Sequence, residues 1–136
     1  MIVVDTNTIA YLYLPTKYTD YVEKLLLNDP AWVAPALWRS EFRNILALYM
    51  RKEIIDFETA CAIQAQAEQL LAGSEFDIDS VSVLSLAKES GCSAYDCEFI
   101  SLAKSLNCKL VTSDKKLKNK FPEIAMDAGT YISEKF

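Results

Sequence analysis

The chain has 136 residues, of which 51% are hydrophobic and 24% charged, with a formal net charge of −5 and no histidine. This size and hydrophobic content predict one domain, covering residues 1–136, with a core of ordinary size. The absence of histidine excludes the Ser-His-Asp and Cys-His catalytic arrangements and the H-E-x-x-H zinc site, because each requires imidazole. Catalysis would therefore depend on carboxylates, hydroxyls, lysines or a metal ion.

The cellular location follows from two further features of the sequence. The first apolar run is broken by Asp5, and no stretch approaches the roughly 18 to 20 apolar residues of a membrane span. The four cysteines have neither C-x-x-C nor zinc-site spacing, so we expect buried, reduced thiols at Cys61, Cys92, Cys97 and Cys108. We predict a cytoplasmic protein with no membrane contact.

Short apolar runs alternate with helical periodicity along the whole chain. The first half predicts a strand over 2–5, helices to about 14 and over 18–27, a strand over 32–34, and helices over 35–52 and 57–71. The second half predicts a weak strand over 76–79, helices over 80–90 and 93–106, a strand over 109–112, a short helix or loop over 113–120, and a last strand over 124–126. This alternation is typical of a doubly wound parallel sheet with right-handed crossovers.

Four acidic residues stand where such a fold brings side chains together. Asp5 and Asp114 each end an apolar run, and the carboxyl ends of parallel strands form the ligand crevice. Asp96 opens one helix and Glu41 lies early in another, so both can overhang those strand ends. Clustered carboxylates are typical of sites for hard cations such as Mg²⁺ or Mn²⁺, which predicts metal-assisted phosphoryl chemistry. The neighbours expected to orient the acids or a bound water are Thr6, Asn7, Thr112 and Ser113.

Helix capping competes with metal binding as an explanation for three of these acids. Asp5 and Asp114 each precede a predicted helix, where Asp is a favoured N-cap, and Ser93 with Asp96 resembles a capping box. Glu41 has no such alternative, because its neighbours on the helix are apolar and an inward charge is costly unless paired. Convergence of all four at one end of one sheet favours the metal site.

Two other clusters suggest contacts with partners. Lys115, Lys116 and Lys118 directly follow Asp114 and are expected to bind RNA phosphates, with a solvated helix face as the alternative. Tyr18, Tyr21 and the segment 11–14 predict an aromatic surface that is partly core and partly covered by a partner chain.

The chain resembles the PIN-domain ribonucleases, especially the VapC-like toxins of bacterial and archaeal toxin–antitoxin pairs. The resemblance rests on four motifs in order, namely Ile-Val-Val-Asp-Thr-Asn at 2–7, Ser-Glu at 40–41, the run from Tyr to Ala at 95–103, and Leu-Val-Thr-Ser-Asp at 110–114. It implies a three-layer α/β/α sandwich with a central parallel sheet. The positions that match the acidic site of the family are Asp5, Glu41, Asp96 and Asp114.

The same resemblance implies an activity and partners. It implies Mg²⁺- or Mn²⁺-dependent endoribonucleolytic cleavage of RNA, formation of a homodimer, and inhibition by an antitoxin protein whose tail covers the active site. Two alternatives remain open. A haloacid-dehalogenase-type phosphohydrolase would need a second Asp two positions after Asp5, where this chain has Asn7. In a non-catalytic PIN-like binding module the acids would be only caps, and a metal titration would separate that function from an enzyme.

Overall fold

A computed structural model describes residues 1–135, which contain five strands and eight helices. The strands are β1 (Ile2–Val4), β2 (Trp32–Pro35), β3 (Glu75–Phe76), β4 (Leu110–Val111) and β5 (Ala125–Met126). The helices are α1 (Thr6–Tyr13), α2 (Thr19–Asn28), α3 (Trp38–Arg51), α4 (Phe57–Leu70), α5 (Ser80–Ser90), α6 (Ala94–Leu106), α7 (Lys115–Lys120) and α8 (Ala128–Lys135). No helix in this range has the length and apolar character needed to cross a membrane.

The strands form one parallel sheet in the order β3-β2-β1-β4-β5. The chain builds the sheet outwards from β1 to one edge, then crosses back to add β4 on the other side of β1. In register, Val3 of β1 pairs with Val33 on one side and with Leu110 on the other. A crevice opens beyond the carboxyl ends of the strands where their order reverses, and that point lies here between β1 and β4.

Helices cover the sheet on both faces, which gives the three-layer α/β/α sandwich that the sequence predicts. The central strand shows the consequence, since Ile2, Val3 and Val4 have no exposed surface and the first polar side chain is Asp5. Helix α6 contacts β1, β2 and β4. Its inward side is apolar, and Ile100 is among its fully buried residues. The packing of α6 on the sheet places its amino end, with Asp96, beside the crevice.

Most predicted elements are confirmed, and the sharpest agreement is at helix ends. Helix α5 spans the predicted residues, and Gly91 and Asn107, in left-handed conformation with φ of 73° and 52°, end α5 and α6. The prediction was wrong at Pro35, which ends β2 instead of beginning a helix. The neighbours Ala34 and Ala36 donate their N–H groups to the β3 segment, so the missing N–H of proline does not interrupt that ladder.

Two further differences concern the last helix and the cysteines. Helix α8 was not predicted, although Asp127 caps it by accepting a hydrogen bond of 2.7 Å from the N–H of Thr130. All four thiols are free, and Cys92 and Cys97 are buried as expected. The expectation of burial was wrong for Cys61, because it lies on the solvent-facing side of α4.

Candidate active site

The four predicted acids line one cavity of about 270 Å³ beyond the carboxyl ends of β1 and β4. Each comes from a different part of the fold: Asp5 joins β1 to α1, Glu41 is in the first turn of α3, Asp96 is in the first turn of α6, and Asp114 precedes α7. Larger cavities of about 610 and 590 Å³ exist, but their described linings do not gather these carboxylates. The smaller cavity is therefore the candidate active site.

Asp5 caps a helix and also lines the cavity. Its Oδ1 accepts hydrogen bonds from the N–H of Thr8 at 2.8 Å and from the Thr8 hydroxyl at 2.7 Å, and its Oδ2 accepts one from the Thr112 hydroxyl. Burial raises the pKa of Asp5, against the lowering effect of these hydrogen bonds, and nearby Asp114 raises it further. Of the roughly four lone-pair sites of a carboxylate, three are used, which leaves about one on Oδ2 for an external ligand.

Glu41 is half-buried, and three other acids are close enough to affect it. Its Oε1 accepts a hydrogen bond of 2.6 Å from the hydroxyl of Thr6, the first residue of α1. Burial raises the pKa of Glu41, the Thr6 bond opposes this, and the charges of Asp96, Asp5 and Glu98 raise it further. Glu98 lies outside the described lining of the cavity, but it is close enough to Glu41 to repel its charge.

Asp96 and Asp114 complete the cavity from the other side. The Ser93 hydroxyl accepts a hydrogen bond of 3.0 Å from the N–H of Asp96, which is half of a capping box. Burial and then the charge of Asp114 raise the pKa of Asp96, while Ser93 and Lys116 lower it. Asp114 caps α7 by accepting a 3.0 Å bond from the N–H of Leu117. Capping and membership of the cavity thus coexist in these acids.

The four predicted supporting residues do not all reach the acids. Thr6 binds Glu41, Asn7 lines the cavity, and the Thr112 hydroxyl bridges the two strand-end acids by donating to Asp5 and accepting at 3.0 Å from the N–H of Asp114. The prediction was wrong for Ser113, whose hydroxyl lies 3.2 Å from that of Tyr11 in a neighbouring cavity. Thr112 also lines that neighbouring cavity, but its hydroxyl binds Asp5 and Asp114, whereas the hydroxyl of Ser113 is paired with Tyr11.

Two residues of the site were missed by sequence reasoning. Thr8 holds Asp5 through two bonds, and its signal was its position three residues after an Asp N-cap, where the capping N–H is found. Asn44 lines the cavity one helical turn after Glu41, so its signal was that spacing.

The predicted basic run divides between two sides of α7. Lys116 donates a hydrogen bond of 3.0 Å from Nζ to the carbonyl of Gly91 and lies close enough to Asp96 to lower its pKa. Lys115 and Lys118 instead line the neighbouring 590 Å³ cavity. The division follows from helical spacing, because residues three apart share a face whereas adjacent residues do not.

The oxygen atoms of the cavity suit a hard divalent cation. The cavity offers carboxylate, hydroxyl and amide oxygens, which suit Mg²⁺ or Mn²⁺. Within the described residues, no three His, Cys, Asp or Glu side chains are already arranged to hold an ion directly. That arrangement still fits Mg²⁺, which keeps several waters and typically uses one or two carboxylates together with substrate phosphates.

Comparison with known proteins gives a consistent family. Residues 2–121 match the model of the PIN domain. The chain is 29% identical to Ribonuclease VapC3 of Pyrobaculum aerophilum, over 90% of this chain and 96% of that protein. Among solved structures, PAE2754 from Pyrobaculum aerophilum is 22% identical with a TM-score of 0.78, covering 98% of this chain and 94% of that one. FitAcB from Neisseria gonorrhoeae is 20% identical with a TM-score of 0.71, covering 95% and 99%. This chain shares the fold of these two structures. Because the family model matches most of its length, the chain belongs to the PIN domain family.

Proposed function

We propose that this protein is a Mg²⁺- or Mn²⁺-dependent endoribonuclease and the toxin of a type II toxin–antitoxin pair, acting in the cytoplasm. One observation carries the proposal: four acids from four separate elements line one cavity at the point where the strand order of a PIN fold reverses. The similarity to a protein named Ribonuclease VapC3 supports RNA as the substrate. The resemblance to VapC-like toxins implies an antitoxin as the partner.

The proposed metal site consists of Asp5, Glu41, Asp96 and Asp114, of which one or two would contact the ion directly and the others through its waters. When bound, the ion would supply an activated water and neutralise the charge that develops on the phosphate. It would also relieve the repulsion that raises the pKa values of three of these acids.

The remaining roles belong to the residues that hold the acids. Thr8 and Thr112 fix the Asp5 carboxylate in one orientation, so Asp5 is a positioned ligand and not a mobile base. Thr6 fixes one oxygen of Glu41 and leaves the other free, which places Glu41 to accept a proton from the attacking water. Asn7 and Asn44 offer amide donors to the phosphate oxygens at the rim of the cavity.

RNA cleavage by the purified chain tests the proposal. The parent should cut RNA with Mg²⁺ or Mn²⁺ and not with EDTA, whereas Asp96→Asn and Asp114→Asn should lose most activity. Asp79→Asn is a matched control, because Asp79 caps α5 through Ser82 as Asp114 caps α7 but lies outside the described lining of the acidic cavity. If the parent cuts no RNA with either ion, the protein is a binding module instead. If the two site variants cut RNA like the control, the acidic cavity is not the active site.

A further inference from the structure

The 590 Å³ cavity adjoins the acidic cavity across a wall one residue thick. Thr112, which holds Asp5, lines the second cavity, and Ser113 and Lys115 line it on either side of Asp114, which faces the first. Consecutive Cα atoms are about 3.8 Å apart, so the segment 112–115 separates the two cavities by little more than its own backbone. A polymer held at the acidic site can therefore extend directly into the second cavity.

Three tyrosines form the aromatic side of this cavity, which we call the tyrosine groove after Tyr11, Tyr18 and Tyr21. The rings of Tyr11 and Tyr18 lie 4.9 Å apart and are inclined by 34°, so they form a packed pair. Tyr21 is 51% exposed, which leaves ring surface open to a base. Tyr18 is 37% exposed with the ammonium of Lys17 5.2 Å from its ring centre, so a base stacks on Tyr18 by displacing Lys17. Exposed aromatic rings along a groove are the surfaces on which unpaired bases stack.

Charged side chains also line the tyrosine groove, namely two lysines of α7 and the acids Asp127 and Glu134. Lys115 and Lys118 lie one turn apart on α7 and both line the groove. Lys118 is 3.6 Å from Asp127, and this pair neutralises the acid at the same wall. Lys115 is exposed and directly follows Asp114, so its charge lies at the end of the groove next to the acidic cavity.

We propose that the tyrosine groove binds the single-stranded RNA segment on one side of the scissile phosphate, an inference that rests on the proposed nuclease function. Bases stack on Tyr18 and Tyr21 while Lys115 contacts the backbone. The sequence alone suggested a protein partner over these tyrosines, but the position of Lys115 and the closeness of the groove to the acidic cavity favour a nucleic acid. The strand must be unpaired, because the bases of a duplex are already stacked on one another.

Binding of a labelled single-stranded RNA in EDTA and low salt tests the groove apart from cleavage. We expect the double variant Tyr18→Leu/Tyr21→Leu to bind at least about fivefold more weakly than the parent. Lys115→Gln should weaken binding and reduce the slope of log affinity against log salt by about one. Leu27→Ala and Lys88→Gln, two exposed positions on α2 and α5, are matched controls and should bind like the parent.

Cleavage with Mn²⁺ then locates the bound segment. Abasic nucleotides on one side of the cut should lower kcat/KM for the parent about fivefold or more, and should add no further loss in the tyrosine double variant. If the parent binds RNA through these residues but does not cut it, the nuclease function fails and the groove assignment stands. If the parent cuts RNA and the groove variants bind it like the controls, the assignment is wrong. Loss of antitoxin binding with unchanged RNA binding would assign the groove to a protein and overturn the proposal, as would a parent that binds no RNA.

Discussion

At the scale of single residues, Asp5 shows that capping and catalysis are not competing roles. Its carboxylate receives two hydrogen bonds from Thr8 and one from Thr112 while it lines the acidic cavity. The sequence predicted the acid from its place after an apolar run. It did not identify Thr8, because a threonine three residues after an N-cap is common and only the fold shows that its hydroxyl is buried against the carboxylate.

The Thr112 hydroxyl should matter more to the site than its small size suggests, because it contacts both strand-end acids. Thr112→Val removes the donor to Asp5 and the acceptor for the N–H of Asp114, so we expect a loss of about 1–3 kcal/mol in the free energy of unfolding. It should also raise the pKa of Asp5 further, because the Thr112 bond is the largest influence that lowers it. Thr112→Ser keeps the hydroxyl and is the control. Urea unfolding of both variants at neutral pH measures the difference, and equal stability would contradict the bridging role.

The pH dependence of stability should distinguish a site carboxylate from a simple cap at Asp96. Its pKa is raised in the folded protein, first by burial and then by Asp114, so its contribution to stability is fully present below the unfolded pKa and is lost as pH rises through the folded value. Without metal, the stability of Asp96→Asn relative to the parent should therefore increase as pH rises from acid to neutral. At pH 7 the variant should melt no lower than the parent. A helix-capping charge would produce the opposite trend, with the variant losing stability towards neutral pH.

At the scale of elements, the features that local chemistry controls were predictable from the sequence. The features that depend on packing were not. Helix ends at Gly91 and Asn107 were predictable because each residue suits the left-handed conformation found there. Whether Pro35 can stand in β2 depends on whether a neighbouring strand needs a hydrogen bond from the N–H that proline lacks. The division of the lysines between two sides of α7 depends on the elements that surround this helix. The four acids were predictable because strand order and helix starts place them at one edge of the sheet. The position of the Ser113 hydroxyl was not predictable, because it depends on the local geometry of the extended segment.

The amino end of α3, which carries Glu41, is held by an ion-pair network at the sheet edge. Arg39 donates to both oxygens of Glu75 at 2.6 and 2.7 Å and to Glu68 at 2.9 Å, and the Trp38 indole donates to Glu75 at 2.7 Å. These contacts tie α3 to β3 and α4. The position of Glu41 thus depends on residues outside the cavity.

Glu75→Gln should loosen this attachment. The pKa of Glu75 is lowered, first by its hydrogen bond with Arg39, so its contribution is present above the unfolded pKa and is lost as pH falls through the folded value. Because Arg39 is partly exposed, we expect a cost of only about 1 kcal/mol at neutral pH, shrinking towards pH 3. Urea unfolding at both pH values measures it, with exposed Glu89→Gln as the control. If the loss of unfolding free energy caused by Glu75→Gln is the same at low pH, it does not arise from the ion pair of Glu75 with Arg39.

At the scale of the whole molecule, two pairs of exposed apolar side chains are candidate contacts for the second copy of the chain and the antitoxin that the family resemblance implies. Ile54 and Phe57 are 60% and 70% exposed where α3 gives way to α4, and Val81 and Leu84 are 75% and 64% exposed on α5. Apolar side chains grouped on a surface in this way are typical of interaction sites.

Light scattering should give a dimer for the isolated chain and a larger complex after co-expression with the antitoxin. Phe57→Lys and Leu84→Lys should each abolish one of these two associations and leave the other, because a buried lysine without a partner is costly. A monomeric parent that binds no co-expressed protein would exclude both partners. Two variants that keep both associations would show that these side chains are not in the interfaces.

The metal-induced change in thermal stability tests the four-carboxylate site most directly. An ion that binds only the folded chain stabilises it by about 2.7 kcal/mol at a concentration about 100 times its Kd, so the Tm of the parent should rise on addition of Mn²⁺. Asp114→Asn and Glu41→Gln should show a much smaller rise, and the capping control Asp79→Asn should show the full one. Site variants that keep the full Mn²⁺ shift, or a parent whose Tm does not respond to Mn²⁺ or Mg²⁺, would contradict the metal site.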